Sequence, residues 1–384
     1  MKLGGLHDGR LTVSAGRGIL VETADGHFER VGELPVPVRG RAGLSYRLKT
    51  GRARSLLARY VGRFASVNVW PVSATTVVAS ADRWLFVSRD GGRTWETSLI
   101  LPSSSGPMGI LPSGFCVTDD AWYLGEYPLD TAETPRIRRS TDAGRTWSTV
   151  CSLPDVRHVH SVQADPYTGA IWLTTGDSGA GCGIGRLHDG TFQRLGSGDQ
   201  RWRAVELAFT PEGVLWGMDS VYEREKPIFA VDRTAFDTDD PDPRRVHTLD
   251  SSVYYATTVE TDDAHWAVFT TAMEPGTDST APGGSQASYS ARARVVAASS
   301  ATEYTEWLEL AAFQKRPAPA DTLDLGGTIP SANAYVFLDS DPDRGLVLNP
   351  YNTAQFDGEL LRVTPAMLAE SSPDDPVEPA VTHR

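Results

Sequence analysis

The chain has 384 residues, with 40% hydrophobic and 22% charged side chains and a formal net charge of −13 at pH 7. This composition is typical of a folded globular protein and excludes collagen, coiled coils and a largely disordered chain. Nucleic acids and anionic membranes need a basic surface, so the acidic balance argues against both as partners. The sequence also shows no signal peptide and no apolar stretch long enough to span a bilayer, which favours a cytoplasmic protein.

Short strand-like segments, separated by glycine, proline and aspartate turns, follow one another along the chain. The first lie in residues 11–31, which hold too few strands for a complete four-stranded unit. Two near-identical octapeptides come next, at residues 88–95 and 140–147, and both match S-x-D-x-G-x-T-W. In such a turn the aspartate accepts backbone N–H groups and the glycine adopts a positive φ. Each octapeptide therefore predicts a β-hairpin whose tryptophan anchors the returning strand.

The strand pattern then repeats with a blade-like period. Four strands are predicted at residues 158–163, 170–175, 183–187 and 191–195, and the next unit has strands at 202–207, 214–218 and 228–231. Turn aspartates recur at roughly 40- to 65-residue intervals, the length of a four-stranded propeller blade. These aspartates are Asp25, Asp90, Asp142, Asp189 and Asp232.

We therefore predict an all-β fold, a single closed β-propeller of four-stranded antiparallel blades over residues 1–370. Seven blades are preferred, with six as the alternative. Residues 331–365 and 11–31 each lack strands of a complete blade, so the termini are expected to share the closing blade, which would remove open sheet edges. Residues 371–384 are expected to form a disordered C-terminal tail.

The two octapeptides resemble the Asp-box, also called the bacterial neuraminidase repeat, of sialidase-like β-propellers. The resemblance implies that the repeat lies between the third and fourth strands of a blade, away from the usual active site. Asp90, Asp142, Trp95 and Trp147 would then be structural. Sialidases, other glycosidases, glycan-binding proteins and sorting receptors carry this repeat, so it implies a fold and not one activity. The sequence has no F/Y-R-I-P motif, which argues against sialidase activity.

One rim of the predicted propeller collects chemically useful side chains. It is formed by connections that enter first strands and leave second strands, which is the usual ligand face. Three acids that follow second strands, Glu126, Asp177 and Asp219, are candidate catalytic residues. Candidate substrate-binding residues are Arg63, Arg157, Arg201, Arg203, Trp202, Tyr127, Tyr222 and Tyr254. The arginines can bind a carboxylate or sulfate and the rings can stack on a sugar, but ion pairing to acids and burial in the core are the alternatives.

His158 and His160 are expected to point to the same side of a strand, because alternate residues share a face. With Gln163 they could hold a divalent metal ion, and this cluster resembles the His/Gln manganese site of some propeller-fold pectate-type lyases. Either histidine could instead be a catalytic general acid or base, since imidazole titrates near neutral pH. Both could also be hydrogen-bonded structural residues. No other cofactor is expected.

Two functions fit this pattern. The first is a carbohydrate-active enzyme, a glycoside hydrolase or polysaccharide lyase, that acts on an anionic oligo- or polysaccharide through the rim acids and histidines. The second is a non-catalytic propeller that binds a glycan or a protein. The missing sialidase motif favours the second function, whereas polar histidines at the channel favour the first.

Overall fold

The structure is a computed structural model that describes residues 1–51, 67–106, 109–220, 222–236, 238, 241–273, 292–317, 333–371 and 379–383. Its strands form seven four-stranded antiparallel sheets. Each sheet is built from strands that are consecutive in the sequence, so the chain completes one blade before it starts the next. The all-β, seven-bladed propeller is thereby confirmed, and the six-bladed alternative is wrong.

The first four blades cover the N-terminal half of the chain. Blade 1 contains β1 (Lys2–His7), β2 (Arg10–Ala15), β3 (Gly18–Glu22) and β4 (Phe28–Glu33). Blade 2 contains β5 (Val67–Pro71), β6 (Val77–Ala81), β7 (Trp84–Ser88) and β8 (Glu96–Ile100). Blade 3 contains β9 (Phe115–Val117), β10 (Trp122–Gly125), β11 (Arg136–Ser140) and β12 (Ser148–Ser152). Blade 4 contains β13 (Val159–Ala164), β14 (Ile171–Thr175), β15 (Gly183–His188) and β16 (Thr191–Ser197).

The other three blades follow in the same order. Blade 5 contains β17 (Leu207–Phe209), β18 (Gly213–Gly217), β19 (Lys226–Asp232) and β20 (Arg244–Leu249). Blade 6 contains β21 (Val253–Glu260), β22 (His265–Thr271), β23 (Arg292–Ser299) and β24 (Trp307–Gln314). Blade 7 contains β25 (Tyr335–Asp341), β26 (Gly345–Tyr351), β27 (Leu360–Val363) and β28 (Ala380–His383). The strand predicted at 202–207 is wrong, because β17 begins only at Leu207 and a 3-10 turn occupies Gln200–Trp202.

Two short α-helices interrupt the strands in the described part of the chain. The helix α1 (Gly40–Thr50) lies between blades 1 and 2, and the sequence analysis did not predict it. The helix α2 (Pro365–Ala369) follows β27, with proline at its first turn and the Thr364 hydroxyl accepting the N–H of Met367.

The blades pack through their inner strands, which are almost completely buried. β14 is buried along its whole length, whereas most side chains of the outer strand β16 reach solvent. Two glycines at the ends of second strands let the next blade approach closely. A Cβ atom would lie 2.5 Å from Val159 at Gly125 and 2.4 Å from Val253 at Gly217. Any larger side chain at these glycines would push neighbouring blades apart.

The ring closes without a shared blade, so that part of the prediction is wrong. Blades 1 and 7 are each complete, because β1 and β28 supply the strands that the sequence pattern failed to indicate. Side chains of blade 7 join them instead: the N–H of Leu3 donates to Asn349 Oδ1 at 2.9 Å and that of Leu6 to Asp339 Oδ2 at 2.7 Å. The strand Ala380–His383 lies within the expected disordered tail, 371–384, so disorder is the wrong description of those four residues.

The two octapeptides form the hairpins β7–β8 and β11–β12 of adjacent blades, as predicted. In the first, Asp90 Oδ1 accepts the N–H of Thr94 at 2.8 Å and Oδ2 accepts its hydroxyl at 2.6 Å. Trp95 and Trp147 pack against the cores of their blades but remain half-buried, not largely buried as expected. These turns lie on the rim opposite the connections that leave second strands.

Candidate functional site

The mouth of the central channel forms a funnel with a cavity volume of about 790 Å³. The funnel opens on the rim that carries the connections from second to third strands, where the sequence analysis placed the ligand face. Its walls combine acids, cations and aromatic rings. The lining residues are Lys2, Asn68, Leu111, Pro112, Tyr127, His160, Asp177, Arg203, Val205, Asp219, Tyr254, Tyr255, Tyr335 and Phe337.

Asp177 is the most highly connected side chain of the funnel. It follows β14 with a φ of 92°, a backbone conformation that favours glycine and is rare for other residues. Its main-chain carbonyl accepts hydrogen bonds from Gln200 Nε2 at 3.4 Å and from Arg203 at 3.3 Å. Strained backbone of this kind occurs preferentially at functional sites, where surrounding contacts maintain it.

Four side chains surround the Asp177 carboxylate. Oδ2 lies 2.7 Å from the guanidinium of Arg157 and 2.9 Å from His158 Nε2. Oδ1 lies 3.3 Å from Arg203 and 3.6 Å from His160 Nε2. Burial by itself would raise the pKa of Asp177, but these partners outweigh burial and hold the pKa well below its ordinary range. Asp177 is therefore ionised at neutral pH and serves as an acceptor or ligand, not as an acid.

The two histidines are buried and differ in how they are held. His160 Nδ1 donates to the carbonyl of Ala204 at 2.8 Å, which leaves Nε2 facing Asp177. His158 stacks on Tyr127 with ring centroids 3.8 Å apart. Its nitrogens lack an aligned hydrogen-bond partner, although Nε2 lies close to Asp177. Burial lowers the pKa of His158 despite the nearby carboxylate, so its neutral form is favoured.

His158, His160 and Asp177 together could hold a divalent metal ion. One possible ligand atom from each lies within 4.8 Å of the others, so a single ion could reach all three. Gln163, the third ligand expected from sequence, is not part of this group. Its Oε1 accepts the N–H of Leu207 at 2.9 Å and its Nε2 donates to the carbonyl of Leu207 at 3.0 Å, so it joins blades 4 and 5. Asp177 is the ligand that the sequence motif did not include.

Arg203 links the two acids of the funnel. One guanidinium nitrogen lies 3.3 Å from both Asp177 and Asp219, which places the two carboxylates side by side. Burial alone would lower the pKa of Arg203, but the two carboxylates raise it, so the side chain stays cationic. Tyr127 and Tyr254 contribute ring faces to the same cavity. The structure thus brings part of the predicted set of site residues into one site. They are Tyr127, His158, His160, Asp177, Arg203, Asp219 and Tyr254.

Other predicted site residues lie elsewhere. The carboxylate of Glu126 is completely buried and held by Arg138 at 2.7 Å, because its neighbour Tyr127 takes the position that faces the funnel. Trp202 stacks in the core on Trp216, with centroids 5.3 Å apart. Arg201 is exposed and paired with its near neighbour Asp199. The remaining two are Tyr222, which is 53% exposed and does not line the funnel, and Arg63, which lies outside the described residues.

Lys2 is a funnel residue that the sequence analysis missed. Its side chain is buried, its ammonium donates to Asn68 Oδ1, and it lies 4.8 Å from the centre of the Phe337 ring. No carboxylate among the described residues forms an ion pair with it. Burial lowers the pKa of Lys2 to about 7. No local motif indicates this residue, because it reaches the funnel only when blade 1 completes the ring.

Solved structures share the fold of this chain, although no family model and no curated protein matches its sequence. An ancestral GH74 enzyme superposes with a TM-score of 0.55 at 11% identity, over 97% of this chain and 44% of the enzyme's chain. A chain of a mitotic checkpoint complex superposes with a TM-score of 0.53 at 9% identity, over 94% of this chain and 89% of that chain. This chain thus spans less than half the length of the GH74 chain. No helix in the described ranges is long and apolar enough to cross a membrane. Likeness at such identities establishes a propeller fold and leaves the activity open.

Proposed function

We propose that this protein binds an acidic sugar residue of an oligo- or polysaccharide in the funnel at the channel mouth. The observation that carries the proposal is the position of Arg203 between Asp177 and Asp219 in a cavity walled by aromatic rings. Carboxylates accept hydrogen bonds from sugar hydroxyls, and ring faces cover the apolar side of a pyranose.

Lys2 supplies the charge that selects an acidic sugar. It is a buried cation in the funnel wall without an ion-pair partner in the described chain, whereas Arg203 is already matched by two acids. A ligand carboxylate beside Lys2 would stabilise the ammonium form, so binding takes up a proton. Because the pKa of Lys2 in the protein without ligand is about 7, the affinity for the acidic sugar falls as pH rises above that value.

Catalysis at this site would depend on the group formed by His158, His160 and Asp177. Asp177 is ionised, so it fits a base, a nucleophile or a metal ligand better than a general acid. Tyr127 stays a neutral phenol because burial raises its pKa, so its hydroxyl can donate a hydrogen bond to a ligand but is a weak acid. A hydrolase also requires a proton donor, and Asp219, the second acid of the site, is paired with Arg203 as Asp177 is, which makes hydrolysis the less favoured reaction. If a divalent ion binds the group, β-elimination next to the sugar carboxylate becomes the better-supported reaction.

A non-catalytic binding protein is the second candidate. It is favoured by the ion pairs of the predicted catalytic acids, since Asp177 contacts two arginines and Glu126 contacts Arg138. Such pairing suits a preorganised binding surface, where charges are arranged before the ligand arrives.

The first test is calorimetric binding of uronic-acid and sialic-acid oligosaccharides, compared with neutral oligosaccharides of the same length. Lys2→Met removes the funnel cation while preserving side-chain length, and Lys315→Met is the matched control outside the funnel. We expect Lys2→Met to abolish preference for the acidic sugar. A Lys2→Met variant that prefers the acidic sugar as strongly as Lys315→Met does would contradict the proposal.

The second test separates the enzyme from the binding protein. The same oligosaccharides are incubated with the protein, with and without EDTA, and new reducing ends and unsaturated products are measured. Cleavage that EDTA abolishes supports a metal-dependent reaction, and cleavage that EDTA leaves unchanged supports a hydrolase. Binding without cleavage in either condition supports the second candidate.

A further inference from the structure

Positive charge is concentrated in one segment of this acidic chain. Residues 34–81 contain eight arginines and lysines and no aspartate or glutamate, although the whole chain carries a net charge of −13. The rest of the chain is therefore even more acidic than its overall charge indicates. A local excess of cations of this kind is concealed by a count over the whole chain.

The helix α1 presents part of this segment to solvent. Gly43, Tyr46 and Thr50 are buried against the propeller and define its inner face. At 100° per residue, Leu44 and Leu48 lie on the opposite face, and they are 61% and 65% exposed. A helix that only covers a blade would place leucines inward, so the two exposed leucines need another explanation.

Cations flank these leucines on both sides. Arg47 lies beside Leu44, Arg41 lies beside Leu48 on the other side, Lys49 lies beyond Arg41, and all three cations are exposed. Exposed leucines bordered by cations are a feature of helices that lie in the surface of a membrane. They complement a surface that is both negatively charged and apolar, which is the chemistry of an anionic lipid surface.

The helix lies on the same rim as the funnel. Its C-terminal cap, Gly51, lines a small cleft together with Ala15, Arg17 and Gly18, which form the connection from β2 to β3. Connections from second to third strands surround the channel mouth, and the Asp-box turns lie on the other rim. A contact made by α1 would therefore turn the funnel towards the surface that is bound.

We propose that α1 docks the protein on an anionic lipid surface, with Leu44 and Leu48 inserted among the lipids and Arg41, Arg47 and Lys49 on the headgroups. This inference is independent of what the funnel binds. Leucine insertion contributes by the hydrophobic effect and each cation by attraction to the negative surface, so binding requires both parts. Attraction between charges also makes the binding weaker at high salt.

The test is flotation of the full chain with vesicles of phosphatidylcholine alone or with about one third phosphatidylserine. Two double variants remove the two parts separately, Leu44→Ser with Leu48→Ser, and Arg41→Gln with Arg47→Gln. The controls are Arg93→Gln with Arg145→Gln, exposed arginines of the opposite rim, and Ile100→Ser, an exposed apolar residue of β8. All changes are at exposed positions, and melting curves verify that each variant is folded.

We expect the wild type and both controls to bind only the anionic vesicles. The leucine variant should bind at least about tenfold more weakly and the arginine variant about thirtyfold more weakly. Failure of the wild type to bind anionic vesicles would overturn the proposal, as would unchanged binding by either α1 variant. Concentration-dependent dimerisation that the leucine variant abolishes would identify a second copy as the occupant and also overturn it.

Discussion

Asp142 and Asp177 lie on opposite rims of adjacent blades, and each carboxylate has a pKa held below its ordinary range. Asp142 is stabilised mainly by Thr146, whose N–H and hydroxyl donate at 2.9 and 2.6 Å. Asp177 is half-buried and depends on His158 and His160 of its own blade and on Arg203 from the connection to the next. The first carboxylate is held by residues within one turn, and the second by separate segments that folding brings together.

This difference explains why the two carboxylates differ in their capacity to bind a ligand. The Asp142 carboxylate accepts hydrogen bonds from residues of its own turn, so it stabilises that turn and is not free to bind a ligand. A half-buried carboxylate between histidines and arginines can exchange one of its partners for a ligand atom, because those partners belong to different segments. The following four changes test that contrast, beginning with the largest expected effect.

Arg203→Ala should destabilise the protein by about 3 kcal/mol, because it leaves the half-buried carboxylate of Asp177 and the buried carboxylate of Asp219 without their shared cation. Urea denaturation at pH 7 measures the change. Arg201→Ala is the matched control, since Arg201 is exposed and pairs with its near neighbour Asp199, and it should change stability by less than about 0.5 kcal/mol. Equal stability of the two variants would mean that the funnel network is as local as an Asp-box turn.

Trp147→Ala should lower the free energy of unfolding by about 2 kcal/mol, which is less than the loss expected for a fully buried tryptophan. Trp147 is half-buried between blades 2 and 3, and its Nε1 donates to Ser98 Oγ at 2.8 Å. Trp147→Phe keeps part of the packing but loses the hydrogen bond, so it should fall between alanine and the wild type. A denaturation midpoint that is the same for all three proteins would show that this tryptophan is not an anchor of its blade.

Glu206→Gln should raise the melting temperature at pH 9 and leave it nearly unchanged at pH 5. Burial raises the pKa of Glu206 to about 8, although the N–H of Ala256 donates to Oε2 at 2.8 Å. A raised pKa favours the protonated folded form, so the wild type loses stability as pH rises from about 4, the ordinary value, to about 8.

Glutamine keeps the acceptor for Ala256 and removes the charge, so this loss should disappear in the variant. Melting curves from pH 4 to pH 9 measure the effect. An identical pH dependence of the wild type and the variant would contradict the assignment of a buried, neutral Glu206.

Thr94→Val is expected to have the smallest effect, a change in one titration with little change in melting at pH 7. The Thr94 hydroxyl and N–H are the main causes of the pKa of about 2 at Asp90, so losing the hydroxyl should move that pKa up towards the ordinary value near 4. Because the pKa is depressed, its contribution to stability is present above pH 4 and is lost as pH falls through 2.

Asp142 provides the internal control for this variant, because its turn has the same S-x-D-x-G-x-T-W pattern and contacts Thr146 instead. Carboxyl carbon shifts followed by NMR should therefore move for Asp90 and stay constant for Asp142. If the shifts of both carboxyl carbons moved, the two hairpins would be coupled, and the pKa of each aspartate would not be set within its own turn.

Much of the fold could be predicted, because propeller blades are formed by neighbouring segments of sequence. The two octapeptides, the blade-length period and the seven blades needed only turn chemistry and alternation. The closure between blades 1 and 7 could not be predicted this way. The partners of Leu3 and Leu6 are Asn349 and Asp339, more than 300 residues away, and no periodic pattern relates them.

The candidate site was predicted in part for the same reason. Asp177, Asp219 and His160 follow from the rule that one rim collects the ends of second strands and the starts of first strands. The same rule also selected Glu126, but its carboxylate is buried against Arg138, because a displacement of one residue turns a side chain to the other face of a strand. No sequence pattern indicated Lys2 as a site residue, because only its burial and the cavity beside it single it out.

The sequence by itself determined that this chain forms a β-propeller with two S-x-D-x-G-x-T-W hairpins, because turns and alternating strands are contacts between near neighbours. Only the tertiary structure decided which polar residues meet. It placed Lys2 in the same cavity as Asp177 and Arg203, and it turned Gln163 and Glu126 away from that cavity. Those outcomes depend on the closure of the ring and on strand register, which are set by packing between distant segments and not by any local run of residues.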